Sequence, residues 1–312
     1  MQKLCNLLCL CVALCLLVAC SLVACSPKGD APPSGAYTFT DSAGHTVTVS
    51  SVQRVAVLFS SLADIWVSAG GEVAITVGET VERGLASADT AVLVDTGAGK
   101  TIDREALIAS APDLVITSAD VEAQRECAAF LRENGITVAE FRVESFADYL
   151  TVLKICTELT GRPDLYATHG SAQQARIDAL IAKLPFDGKR ILFIRAGSSA
   201  RSVKAKGSAD HFAAAMLSEL GAVNIADAAP LLLDGLAMEV ILAKDPDYVF
   251  FTAMGDEEAS KAYVAQMLQG DEWQALTAVQ EAKWSFLPKE LFHYKPCDAW
   301  ADAYAYLADL VT

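Results

Sequence analysis

The chain states one pattern twice. RVAVLFSS (54–61) leads through a helical stretch and Gly70-Gly71 to VAITVG (73–78), then Glu105 and PDLVITS (112–118). RILFIRAG (190–197) leads through a helical stretch and Gly221 to a short apolar segment (222–227), then Glu239 and PDYVFFTA (246–253). In both halves the Glu stands seven residues before Pro-Asp, 51 residues after Arg54 in the first and 49 after Arg190 in the second. Apolar residues match at the same offsets, Ile102 with Leu236, Ala106 with Val240, Leu107 with Ile241 and Ile108 with Leu242. A repeat on this scale predicts two lobes of like build. Buried-type strands followed by helices make each an α/β lobe with a partly parallel sheet, whose ligands sit at the carboxyl ends of the strands.

Between the repeats, PDLYATHGSAQQARIDALIAKL (163–184) reads as one long helix, with Pro at a first-turn position and strong helix formers inside. It would span about 33 Å. His169 and Gly170 interrupt it, so a local kink is expected there. The predicted organisation is therefore an N-terminal lobe over 36–160, an interlobe helix over 161–186 and a C-terminal lobe over 187–312, with a ligand cleft between the lobes. AYTFTDSAGHTVTVS (36–50) alternates around a Ser-Ala-Gly turn and predicts a hairpin covering the first lobe's edge, with His45 a solvated turn residue.

The first 24 residues carry one charge, Lys3, and an apolar run from Leu7, which outlines a secretion signal, although a run of this length also suits a membrane anchor. LVAC occurs twice, ending at Cys20 and at Cys25. The Pro/Gly/Ser-rich SPKGDAPPSG after Cys25 reads as a tether over 25–35 and favours Cys25 as the lipidated residue over Cys20. Six of nine cysteines lie at or before Cys25; Cys127, Cys156 and Cys297 fit neither a disulfide framework nor a zinc spacing and read as small buried hydrophobes.

Net charge is −15, and −16 without the leader. Such a surface repels nucleic acid and anionic lipid, so attachment to a membrane needs an anchor rather than charge. A monomer held by lipid at the outer face of a membrane is the expected state. One loop reverses the sign: AGSSARSVKAKGSAD places Arg195, Arg201, Lys204 and Lys206 within twelve residues, as a solvated loop or as a cleft wall for an anionic ligand. Ser60 and Ser61 hold the matching strand end in the first half. Met254 follows the last apolar strand, and His293 and Tyr294 in FHYKPCDAW can be core residues, an edge cap or the wall of a pocket for a flat or iron-bearing ligand. GAGKT (97–101) echoes a phosphate loop but has Val at 94 where a Gly is required, and reads as a turn feeding the Glu105 helix.

The LVAC box, DSAGHTVTV before RVAVL, the paired E-x6-PD segments, the central helix and FLPKELFHYKP…W together resemble the substrate-binding lipoproteins of ABC importers for siderophores, haem and cobalamin, across essentially the whole mature chain. The resemblance implies two α/β lobes joined by a helix, a ligand between them and little hinge motion. It implies no catalysis and no intrinsic cofactor, and it implies partnership with a permease and its ATPase. Glu105 and Glu239 match the two carboxylates that dock such proteins onto permease arginines. It ranks a ferric siderophore or related iron chelate first as cargo, haem second with His293, Tyr294 or Met254 as ligand types, and a corrinoid third. A surface enzyme or sensory lipoprotein is the alternative class. No G-x-S-x-G elbow or H-E-x-x-H pair is present to support an enzyme.

Overall fold

The Pro-Asp of each repeat closes a hub that the two lobes share. Strand β3 (Val55–Val57) is preceded by Arg54, whose backbone N–H donates to the Asp113 carboxylate at 2.9 Å, while the Asp113 N–H donates to the Arg54 carbonyl at 2.9 Å. In the second lobe Arg190 and Asp247 repeat both bonds at 2.7 Å. The arginine side chains also match, Arg54 donating to the carbonyl of Ser110 and Arg190 to that of Lys244, three residues before each Asp. Two residues before each Asp the chain turns through the left-handed region, at Ala111 (φ 47°) and Asp245 (φ 38°). The repeated motif is thus a helix, a left-handed stop, and a Pro-Asp that pins the neighbouring strand.

The computed structural model describes residues 35–311, which leaves the leader, Cys20, Cys25 and all of the tether but Gly35 outside the described residues. From Tyr37 onward the chain forms one unit. A hairpin of β1 (Tyr37–Thr40) and β2 (Thr46–Val49) comes first, antiparallel as expected. The first lobe adds β4 (Ile75–Val77), β5 (Val92–Asp95), β6 (Leu114–Ser118) and β7 (Val138–Phe141) to β3, in the order β5-β4-β3-β6-β7 with every pairing parallel. The hairpin lies on the β7 edge: the Ser42 N–H donates to the Glu140 carbonyl at 2.9 Å and Phe39 stacks on Phe141. The second lobe contains β8 (Arg190–Ala196), β9 (Val203–Ala205), β10 (Val223–Asn224), β11 (Tyr248–Ala253) and β12 (Trp284–Phe286). Its parallel order is β10-β8-β11-β12, and β9 pairs antiparallel with the far end of β8.

The joining helix runs from Pro163 to Ile181 and is not α-helical throughout. Pro163–Tyr166 and Ala172–Ile181 are α-helix, and Ala167–Ser171 is a π turn. The kink expected at His169 and Gly170 takes this form because a widened turn frees a carbonyl. Tyr149 Oη donates to that His169 carbonyl at 3.0 Å, and the Gln173 amide donates to it as well.

Each sheet has its own outer core, but one continuous inner core joins both lobes to the rod. Trp300 sits at its centre, 1% exposed, touching Phe146 and Tyr149 of the first lobe and Phe212 of the second. A close-packed shared core resists relative motion of the lobes. Cys127, Cys156 and Cys297 are buried and free, as small hydrophobes.

Candidate functional site

The strands of both sheets end at a common cleft. On the first-lobe side Gln124, fully buried in the helix Glu122–Glu133, fixes the strand ends. Its side-chain oxygen accepts from Thr117 Oγ1 and the Ser118 N–H, both at 2.8 Å, and its amide donates to the carbonyls of Leu58 (2.7 Å) and Gly99 (3.2 Å). All four of its hydrogen-bonding positions are used. Gly99 cannot be replaced: its φ is +77°, and a Cβ there would lie 2.3 Å from the Leu58 carbonyl oxygen. GAGKT is accordingly a turn, wrapped on the Asp95 carboxylate, which accepts from the N–H groups of Gly97 (2.6 Å) and Thr101 (2.8 Å).

The cleft has two compartments that share Glu144 and Lys295. The first, about 90 Å³, lies under the first lobe and is walled chiefly by Phe59, Leu62, Ile65, Phe141 and Val143, with Ser61 and Ser118 at its edge. The second, about 220 Å³, lies under the second lobe and is polar, walled by Arg195, Asp210, His211 and His293. Lys295 bridges the lobes, its Nζ 2.8 Å from Glu144 Oε2 and 4.7 Å from the centre of the Phe212 ring. One end of the cleft is therefore greasy and the other polar, with Arg195 and Lys295 set against Glu144 and Asp210.

Arg195 is half-buried, and burial lowers its pKa from the ordinary arginine value. Among the described residues it has no ion-pair partner. A guanidinium held this way has unused donors aimed at the second compartment. His211 is the N-cap of the helix Phe212–Glu219, its Nδ1 accepting from the Ala213 N–H at 3.2 Å, so the ring proton sits on Nε2. Burial first, then Lys295, Arg195, Lys206 and His293, push its pKa down to about 3. It is a neutral donor throughout the physiological range. His293 Nδ1 lies 2.9 Å from the Ala253 carbonyl, which leaves Nε2 for the cleft.

The sequence-predicted residues divide into those the fold brings together and those it does not. Ser61, Arg195 and His293 line the cleft. Lys206 is half-buried behind His211 and acts on it through space. Ser60 is not a cleft residue: it is 1% exposed and its hydroxyl is spent on the Glu79 carboxylate. Arg201 and Lys204 line another cavity of the second lobe, even though Lys204 stands directly opposite Arg195 in the antiparallel β8–β9 pairing. Met254, 37% exposed, and Tyr294 line neither compartment. The Tyr294 ring is flanked instead by the Arg83 guanidinium at 4.7 Å and the Lys289 ammonium at 5.4 Å. Glu105 and Glu239 are exposed at the second position of equivalent helices, Arg104–Ala109 and Met238–Lys244.

Glu144, Asp210, His211 and Lys295 went unforeseen. Lys295 lies in the FHYKP stretch beside the residues that were singled out, and only its reach across the cleft distinguishes it from a solvated lysine. Nothing in the local sequence separates His211 from an ordinary helix cap.

The periplasmic binding protein family model matches residues 55–291. No curated protein matches this chain in sequence. Among solved structures it is similar to a periplasmic binding protein from Veillonella parvula (TM-score 0.70, 14% identity, 89% of this chain and 92% of that one). It is also similar to Staphylococcus aureus SirA complexed with staphyloferrin B (TM-score 0.65, 16% identity, 88% and 97% covered) and to the haem-binding protein HmuT (TM-score 0.65, 19% identity, 90% and 92% covered). The chain therefore belongs to the periplasmic binding protein family, whose members are extracytoplasmic, non-enzymatic binding proteins.

Proposed function

We propose that the cargo is an anionic iron chelate, a ferric siderophore or a relative of one. The observation that carries this reading is Arg195, half-buried, without an ion-pair partner among the described residues, and facing a polar compartment of about 220 Å³. Carboxylate or catecholate oxygens of the chelate would take the donors of Arg195, Lys295 and His211, and its apolar backbone would lie on Phe59 and Phe141. Compartments of this size suit a compact chelate better than a corrinoid. Haem is the second reading, because the bond from His293 Nδ1 to Ala253 leaves Nε2 as the available metal ligand. Titration of the mature protein with ferric carboxylate, catecholate and hydroxamate siderophores, haemin and cobalamin, followed by visible absorbance, tests it. A ferric carboxylate or catecholate should bind best, and saturable binding of haemin alone would replace this reading with the second.

Cys25, rather than Cys20, carries the lipid that holds the protein as a monomer at the extracytoplasmic face of the membrane, and intact-mass measurement before and after Cys25→Ala tests this. Glu105 and Glu239, one exposed carboxylate per lobe at equivalent places, dock on basic residues of the permease.

A further inference from the structure

The second lobe holds another cavity, of about 350 Å³, which shares no lining residue with the cleft. It opens between β9, with the turn Ala200–Ser202 before it, and the segment 234–238 that leads into the Glu239 helix; the helices Glu257–Met267 and Asp271–Gln274 contribute its other walls. β9 and residues 231–238 are two of the places where this lobe departs from the first, which has no antiparallel strand in its sheet and runs the GAGKT turn there.

The lining has two characters. Met238, Tyr263, Met267 and Trp273 make an apolar surface, with Trp273 only 6% exposed. Arg201 and Lys204, both exposed, stand on the rim with no ion pair among the described residues. Asp234 is the one carboxylate among the lining residues.

We propose that this cavity is a binding site for a small amphiphilic monoanion, an aromatic or aliphatic carboxylate. Its ring or chain lies on the two thioethers and the indole, and its acid group sits between Arg201 and Lys204. Unbranched methionines adapt to ligands of varied outline, and two unpaired cations at the edge of an apolar surface select for a terminal charge. Asp234 works against a second acid group, so a polyanionic chelate of the kind assigned to the cleft is disfavoured here. The inference stands apart from the cargo assignment, since it rests on different residues.

Methyl NMR of the mature protein labelled at methionine tests it with 4-phenylbutyrate as the probe. Besides Met1 the sequence has four methionines, and only Met238 and Met267 line the cavity; Met216 is in the inner core and Met254 is at the end of β11. The expected result is a saturable shift of the Met238 and Met267 signals with Met216 and Met254 unmoved. Affinity should fall about tenfold or more in the double variant Arg201→Ala, Lys204→Ala, and by a similar factor when the neutral 4-phenylbutanol replaces the acid. Arg195→Ala should leave the titration as it is. The proposal is overturned if Met238 and Met267 do not respond, if all four methyls shift together, or if affinity survives removal of the two cations.

Discussion

The two lobes hold their central strand the same way and finish it differently. At the amino end of that strand, Arg54 with Asp113 and Arg190 with Asp247 repeat bond for bond, down to a left-handed residue two places before each Asp. At the carboxyl end nothing repeats. The first lobe presents Phe59, Leu62 and Phe141, whereas the second presents Arg195, His211 and His293. A strand-end loop carries little of the core, so it can change without unseating the sheet. Duplication therefore supplied the frame, and divergence at one end of it produced a cleft with one apolar and one polar wall.

The largest effect should come from the feature the lobes still share on their outer surface. If the two exposed glutamates are an equivalent pair, Glu105→Ala with Glu239→Ala abolishes uptake by whole cells while cargo affinity in vitro stays the same; retained transport breaks the equivalence. The next largest separates the cleft walls. Arg195→Ala should weaken binding of an anionic ferric chelate by about tenfold to a hundredfold, whereas Arg201→Ala with Lys204→Ala should leave it unchanged. Isothermal titration calorimetry decides, and equal losses would merge two sites that the structure separates.

A smaller effect concerns the histidine that only the second lobe has. The folded pKa of His211 is pushed down to about 3, below its unfolded value of about 6.5, so the unfolded chain binds the extra proton between those limits. Its contribution to stability is full above pH 6.5 and declines as the pH falls toward 3, by up to about 1.4 kcal/mol per unit. His211→Asn keeps an N-cap acceptor and removes the titration, so urea unfolding should show a flatter pH dependence between 6.5 and 4.5 than the wild type. An unchanged slope would mean that the ring is not buried as described. The smallest effect probes the hub. Asp113→Ala and Asp247→Ala should each cost about 1–2 kcal/mol in chemical unfolding, because each leaves a strand-opening N–H without its acceptor. A difference between them above about 1.5 kcal/mol would show that one hub carries more of the fold than the other.

The frame was legible because its cause is local. Glu-x6-Pro-Asp encodes a helix, its stop and the first residue of a strand within ten positions, and seeing it twice is enough to expect two lobes. The hairpin, the kinked rod and the turn at GAGKT follow from similarly short-range chemistry. The cleft was only half legible. Arg195 and His293 were foreseen because they lie at or near strand ends in the sequence pattern, but the same reasoning grouped Arg201 and Lys204 with Arg195. It could not register that Arg201 and Lys204 line a different cavity, although β9 doubles back and sets Lys204 opposite Arg195. Trp300 and Trp66 are each 1% exposed and belong to the core, which no local pattern distinguishes from a place at the cleft.

The amino-acid sequence by itself determined the duplication, the α/β character of each half and the joining helix, since all three are written in spacing and periodicity. Only the tertiary structure decided which charged residues meet. Lys295 and Glu144, 151 positions apart, come within 2.8 Å because the strand ends of two separate sheets converge, and no local pattern records a contact between chain segments that distant.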